Sequence, residues 1–260
     1  MTARNPIFLS HGAPSLLIDK SRANAFLYSW GPTLGQPKAW VVVSAHWESS
    51  PIRVTASQQP ETIHDFRGFS PVLEAFQYNA KGDPVLADRI VRMIENEGLA
   101  AVADPHRGLD HGVWVPLALI DPHPVAPVIQ VSLPGRHASE DDTATLGRAL
   151  AALAKEGVQL IFSGSMTHSL RDALGAAEDE TPLAFAQDFA AWAREVFRSG
   201  DANAIRQWRS APQAQRNHPT PEHFLPLVAA MAAAGGPGRP LHQSWSHAAL
   251  AMDVWDFPPQ

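Results

Sequence analysis

Four apolar segments, each bounded by Gly, Pro or Ser, recur along the first two thirds of the chain. They cover residues 6–10, 39–45, 125–133 and 158–163, and they are rich in Val, Ile, Leu and Phe. Runs of this length without polar alternation are typical of strands buried on both faces of a parallel sheet. A fifth run, residues 51–57, alternates apolar and polar positions and therefore predicts a half-exposed strand.

Between these segments, apolar residues recur at helical spacing in three stretches. The first begins at Asp83, which is followed by Pro, and ends at Gly98. The second begins at Ser139 and ends at Gly157, and the third opens at Thr181. Cap residues followed by such spacing predict amphipathic helices whose apolar stripes face a core.

Strands that alternate with helices predict an α/β fold with a central, mostly parallel or mixed sheet and helices on both faces. The C-terminal segment 244–257 also alternates, placing Leu250, Met252 and Val254 on one face, and its strands are expected to pair antiparallel. The 260 residues suffice for one large core, and no repeat or linker divides them. We therefore expect a single domain over residues 1–260.

The amino-acid composition argues against several classes of function. The net charge is −6, from 20 basic and 26 acidic residues, and no basic block predicts nucleic-acid binding. Cysteine is absent, which excludes disulfides, thiolate metal sites and cysteine nucleophiles. The N-terminal apolar run is broken too early for a secretory signal, and the longest C-terminal run is too short to span a bilayer. We expect a cytoplasmic enzyme that binds neither nucleic acid nor membrane.

Three of the 12 histidines follow predicted strands: His11, His46 and His168. Ligands of open α/β sheets bind at the carboxyl ends of the strands, so these imidazoles are expected to meet at one edge. Imidazole is the commonest protein metal ligand and an acid or base that works near neutral pH. The pattern indicates a metal or proton-transfer site, and spacing alone leaves open which three residues hold a metal.

Three further histidines lie in mixed polar and apolar segments. His64 precedes Asp65, and His111 follows Asp110, which could orient its imidazole. His223 lies either in the first turn of a helix that starts near Thr220 or just before a helix that starts nearer to Pro226.

The remaining histidines are expected to need no catalytic role. His247 lies in a predicted C-terminal strand and could be a core histidine bonded to backbone. The others lie in polar or Pro-rich loops and are expected to be solvated: His106, His123, His137, His218 and His242.

Six segments, in this order, resemble the signature segments of the DODA-type extradiol ring-opening dioxygenases, which belong to the wider LigB-like superfamily. The segments are SHGAPSLLID, VVVSAHWES, TIHDFRGF, LDHGVWVPL, SGSMTHSLRD and TPEHFLPL. The resemblance runs from residue 6 to about residue 228. It implies an enzyme that opens a catechol ring with O2.

The resemblance also implies residue roles. His11, His46 and His223 match the metal ligands, and the usual metal is non-haem Fe(II), with zinc often in its place. Many relatives in the superfamily use two histidines and a glutamate, so Glu222 is a rival ligand. Adjacent helical residues point about 100° apart, which disfavours binding of one ion by both. We favour His223.

The acid/base and substrate-positioning histidines of the family match His168 and His111. His64 and Asp65 match a segment beside the active site and are expected to contact the substrate. Two alternatives remain at this point: a zinc-dependent hydrolase using the same three histidines, and a non-enzymatic Memo-like protein on the same fold. The sequence leaves the particular catechol and the oligomeric state open.

Overall fold

The computed structural model describes residues 2–177 and 180–258. Its strands are β1 (Ile7–Ser10), β2 (Trp40–Ser49), β3 (Ile52–Thr55), β4 (Ala101–Asp104), β5 (Val128–Pro134), β6 (Gln159–Gly164), β7 (Arg239–His242), β8 (Trp245–Ser246), β9 (Leu250–Ala251) and β10 (Val254–Asp256). Its helices are α1 (Arg22–Leu34), α2 (Pro71–Glu74), α3 (Pro84–Asn96), α4 (His111–Ile120), α5 (Glu140–Lys155), α6 (Leu170–Ala173), α7 (Ala184–Ser199), α8 (Ala202–Arg206), α9 (Ala214–Asn217) and α10 (Leu225–Ala234).

One mixed sheet of eight strands organises the fold, in the order β4-β3-β5-β2-β6-β1-β10-β7. The central strands β5, β2, β6 and β1 run parallel to one another. On one side β3 pairs antiparallel with β5, and on the other β10 pairs antiparallel with β1. The predicted mostly parallel or mixed sheet with antiparallel C-terminal pairing is confirmed.

Helices cover both faces of this sheet. Along β2, Val41 and Val43 face a core that contains α3, α5 and α10, whereas Trp40 and Val42 face a second core with α1 and α4. This alternation follows from the two-residue period of a strand. The predicted α/β layering is therefore confirmed.

The predicted helices correspond to α3, α5 and α7, and Ser139 caps α5 with a reciprocal bond to Asp142. The start of α7 differs, because the helix begins at Ala184 rather than near Thr181. Leu183 is extended, with ψ 138°, and its backbone N–H donates to Ala248 O at 2.9 Å. That bond holds the chain outside the helix until Ala184.

Two helices had no periodic signal in the sequence. Every residue of α4 is buried, as is almost every residue of α10, so neither helix has a polar face. A helix that is apolar all round gives no alternation from which to assign it. Within the described ranges, none of the helices combines the length and the hydropathy needed to cross a membrane.

Candidate metal centre and active site

Three imidazoles meet at the carboxyl ends of the central strands. His11 directly follows β1, whereas His46 lies within β2, where the register with β5 shifts between Ser44 and Glu48. The prediction that the strand ends before His46 is therefore wrong. His223 comes from the segment before α10, and its carbonyl accepts the Ser165 N–H at 2.9 Å, which holds it against the end of β6.

The facing nitrogens of these rings are close together. His46 Nε2 lies 2.9 Å from His11 Nε2 and 3.3 Å from His223 Nε2. The three ligand atoms all lie within 4.8 Å of one another. Three convergent lone pairs repel unless a cation lies between them, so this donor set fits a metal ion that prefers imidazole.

The tautomer of His11 follows from a hydrogen-bond chain that starts at Pro116. Gly112 O lacks the usual helical hydrogen bond, because the residue four positions later in α4 is Pro116, which has no N–H. The Ser163 hydroxyl donates to this carbonyl instead. Ser163 Oγ must then accept from His11 Nδ1–H, at 2.9 Å, which leaves the lone pair on Nε2.

Glu222 lies behind the His223 ring. Its Oε1 is 3.1 Å from His223 Nδ1 and accepts from Thr220 Oγ1 at 2.8 Å. Because α10 begins only at Leu225, with Pro226 in its first turn, neither residue is helical and the later of the two predicted helix starts is correct. The Glu222 carboxylate thus contacts His223 Nδ1, whereas His223 Nε2 faces His46.

A second grouping with metal-like spacing contains His168, Glu222 and His223. The rings of His168 and His223 are stacked, with centroids 3.5 Å apart and planes within 10°. Lone pairs of parallel rings lie in separate planes and do not converge on one ion. The geometry favours the grouping of His11, His46 and His223.

His111 lies beside the same centre. Its ring centroid is 3.9 Å from that of His46 and 5.6 Å from that of His11. Its Nδ1 is 2.8 Å from Asp65 Oδ1, so Asp65 rather than Asp110 orients this imidazole, contrary to the sequence interpretation. Asp110 is instead fully buried in a separate network, where Ser44, Gln130 and Arg107 donate to it.

Asp65 contacts two histidines. Besides His111, it faces His46 Nδ1 with Oδ2 at 3.6 Å. Burial alone would raise the pKa of Asp65, but hydrogen bonds and charges from His111 and His46 lower that pKa to about 2. The carboxylate is therefore ionised and remains an acceptor at neutral pH.

His64 is placed outside the cluster of imidazoles. Its Nε2 lies 2.9 Å from Phe76 O, and its ring lies 5.7 Å from Trp114 and 5.8 Å from Phe66. Phe66 in turn lies 5.8 Å from His111, so His64 is separated from the centre by one ring. Its contact with the substrate stays a prediction.

Burial keeps four of the imidazoles neutral, those of His11, His46, His168 and His223. Desolvation, followed by repulsion from neighbouring histidines, holds the pKa of His11 and of His223 well below the usual value. Desolvation and the charge of His111 lower the pKa of His46 to about 3. Desolvation also lowers the pKa of His168 to about 4. A neutral ring is the form that binds metal or accepts a proton.

An open cavity of about 890 Å³ gives access to the centre. His46 and His223 form its floor, and its walls include Glu222, Glu48 and Arg136. Desolvation, together with the charge of Glu222, raises the pKa of Glu48, whose Oε2 is 3.4 Å from Arg136 Nε. The cavity is large enough for a small aromatic substrate.

Some expectations for the other histidines were wrong. His218 is buried rather than solvated, and its Nε2–H donates to Met166 O at 3.1 Å. His247 lies in the turn between β8 and β9, although its Nδ1 does bond to backbone, 2.8 Å from Ala176 O. Sequence reasoning did not identify Ser163 as a partner of His11. The available signal was Pro116, which lies four residues after Gly112 and leaves the glycine carbonyl in need of another donor.

Comparison with known proteins agrees with this geometry. The family model described as the catalytic LigB subunit of aromatic ring-opening dioxygenase matches residues 6–252. The chain belongs to this family. It is therefore an enzyme of the extradiol dioxygenase class, as the six segments implied, and the match favours this class over the hydrolase and the non-enzymatic alternatives.

Named relatives span nearly the whole chain. A 4,5-DOPA dioxygenase extradiol from Beta vulgaris is 38% identical over 98% of this chain and 96% of its own length. A protein of the same name from Escherichia coli K12 is 34% identical over 88% and 85%. The crystal structure of an uncharacterized Escherichia coli K12 protein matches with a TM-score of 0.81 at 28% identity, covering 98% of this chain and 99% of that one.

Proposed function

We propose that the chain is a single catalytic domain, residues 1–260, that uses non-haem Fe(II) and O2 to open the ring of a catechol beside its two hydroxyls. The observation that carries this proposal is the convergence of three imidazole Nε2 atoms, with that of His46 lying 2.9 Å from that of His11 and 3.3 Å from that of His223. Two of the three rings, those of His46 and His223, line an open cavity. The names of the relatives support a DOPA-like catechol as the substrate.

His11, His46 and His223 would hold the metal through Nε2. Three neutral ligands leave the charge of a divalent ion undiminished, which favours an anionic chelating substrate. When bound, the iron supplies the redox chemistry that lets O2 react with a closed-shell catechol. Zinc suits the same ligands but has no such redox chemistry.

His111 and His168 would move the protons. Asp65 accepts from His111 Nδ1–H, so His111 Nε2 is free to take a proton from a catechol hydroxyl as the substrate binds. The ring of His168 is neutral and is stacked on that of His223. From this position it could exchange a proton with a substrate bound at the metal centre. His64 is retained as a proposed substrate-side residue, whereas the contacts of Asp65 with His111 and His46 favour a role in orienting these rings over the substrate contact expected from the sequence.

Oxygen uptake with a panel of catechols tests this function. Protein loaded anaerobically with Fe(II) is expected to consume one O2 per catechol and to form a coloured semialdehyde that contains both atoms of labelled O2. Zinc-loaded protein is the control and is expected to be inert. A product that carries oxygen from water and none from O2 would identify a hydrolase, and a colourless diacid would indicate cleavage between the hydroxyls.

A further inference from the structure

We propose that Asp65 is a positioning residue that holds both His46 and His111 with the proton on Nδ1, so that both rings present a basic Nε2 to the same space. One carboxylate would then control a metal ligand and a proton-transfer group together. The inference rests on the proposed function for its kinetic consequences, whereas the tautomers themselves can be measured without turnover.

The contacts fix the orientation of the carboxylate. Oδ1 of Asp65 accepts from the backbone N–H of His111 at 3.2 Å and lies 2.8 Å from His111 Nδ1. A backbone amide can only donate, so Oδ1 is an acceptor, and the ring nitrogen 2.8 Å from the same oxygen is matched by a proton on His111 Nδ1. The second oxygen, Oδ2, faces His46 Nδ1 at 3.6 Å.

Hydrogen bonds hold the backbone around Asp65 in place. Ile63 N–H donates to Leu109 O at 2.8 Å, and Leu109 N–H donates to Glu61 O at 2.8 Å. Trp114 Nε1–H, from α4, donates to Ile63 O at 3.0 Å. The loop that carries Asp65 is therefore tied to both sides of His111, and this rigidity makes Asp65 suitable for orienting a ring.

A positioning role and a substrate contact make different predictions. Both oxygens of Asp65 already face imidazoles, so a substrate could reach them only by displacing a ring. Loss of a substrate contact raises KM with little change in kcat, whereas misplacement of a base lowers kcat. Loss of a carboxylate behind a metal-bound histidine also weakens metal affinity, by about 10–100-fold.

The first test is the histidine nitrogen NMR spectrum of zinc-loaded protein, with His111 assigned through His111→Asn. We expect Nδ1–H for His111 and His46 in the unaltered protein. If His111 carries its proton on Nε2, the proposal is wrong, and this result depends on neither turnover nor the folding of an Asp65 variant.

The second test compares Asp65→Asn with Asp256→Asn. Asp256 is the matched control: it is a nearly buried carboxylate that accepts from Arg239 at 2.7 Å, but it pairs with Ile7 at the opposite edge of the sheet. Asp65→Asn is expected to bind zinc about 10–100-fold more weakly and to lower kcat at nearly constant KM. Asp256→Asn is expected to leave all three values unchanged.

A double-mutant cycle asks whether Asp65 acts through His111. If it does, Asp65→Asn combined with His111→Asn should turn over no more slowly than His111→Asn alone when both are measured at saturating Fe(II), which removes the loss of metal affinity that Asp65→Asn causes through His46. Multiplying losses, or a raised KM at unchanged kcat in Asp65→Asn, would overturn the proposal. If the unaltered Fe(II) protein turns over no catechol, the proposed function fails, and the NMR and zinc-affinity measurements still decide the role of Asp65.

Discussion

Replacing Ser163 with Ala is expected to weaken both the fold and the metal centre. The Ser163 hydroxyl lies between two buried groups, since it donates to Gly112 O and accepts from His11 Nδ1–H. Both Ser163 and His11 are at most 2% exposed, so water does not easily replace the lost partner. The substitution therefore leaves one buried acceptor and one buried donor without a hydrogen bond.

The size of the effect follows from these two groups. An unsatisfied buried polar group costs about 1–3 kcal/mol, so the metal-free Ser163→Ala protein should lose ~3 kcal/mol of unfolding free energy. His11 would also be free to move its proton to Nε2, the atom that faces His46. We therefore expect metal affinity to fall by about 10–100-fold.

Urea unfolding of metal-free protein measures the first effect, and competition with a chelator for zinc measures the second. Ser132→Ala is the matched control, because Ser132 is equally buried in β5 and accepts the Arg53 N–H at 2.9 Å, with no histidine partner. The control should lose stability and keep its zinc affinity. If Ser163→Ala also keeps its zinc affinity, Ser163 and Pro116 do not determine the tautomer of His11.

Three other substitutions test separate parts of the site. His223→Ala should abolish stoichiometric metal binding while Glu222→Ala keeps a weaker site; metal analysis showing the reverse would make Glu222 the ligand. His168→Ala should keep its metal and lose about 10²–10⁴-fold in turnover, and loss of metal would instead make His168 a ligand. Burial lowers the pKa of His218 to about 3, so below about pH 6.5 the unfolded chain takes up a proton that the folded protein does not. The free energy of unfolding therefore decreases as the pH is lowered from 7 to 5. Between pH 7 and 5, urea unfolding should show His218→Gln losing about 2 kcal/mol less than the unaltered protein, and equal losses would contradict the buried neutral ring.

The sheet could be predicted because its central strands are continuous apolar runs. The segments 6–10 and 158–163 became β1 and β6, and both cores alternate along β2 as a strand requires. The helix α4 could not be predicted from periodicity, because its residues are buried on every side. This failure affects the site, because α4 begins at His111 and the position of the helix determines where that ring lies.

The gathering of the imidazoles at one sheet edge could be predicted, but not the partners that orient them. His11 and His46 were expected at strand ends and His223 at or before a helix start, and the structure brings His11 and His223 to His46. Asp110 is adjacent to His111 in sequence and was the natural choice of partner, yet Gln130 and Ser44 engage it in the interior. Adjacency along a chain does not determine which side chain faces a ring across a loop.

The hydrogen-bond partners of the Nδ1 atoms explain why these rings all present Nε2 to the centre. Each Nδ1 faces an acceptor: Ser163 Oγ for His11, the neighbouring Glu222 for His223, and Asp65 for His111 and, at longer range, His46. Carboxylates cannot donate, and the proton of Ser163 is already committed to Gly112 O because Pro116 has none to offer. A proline that removes one backbone donor in α4 thus helps to determine which nitrogen of His11 is available to a metal.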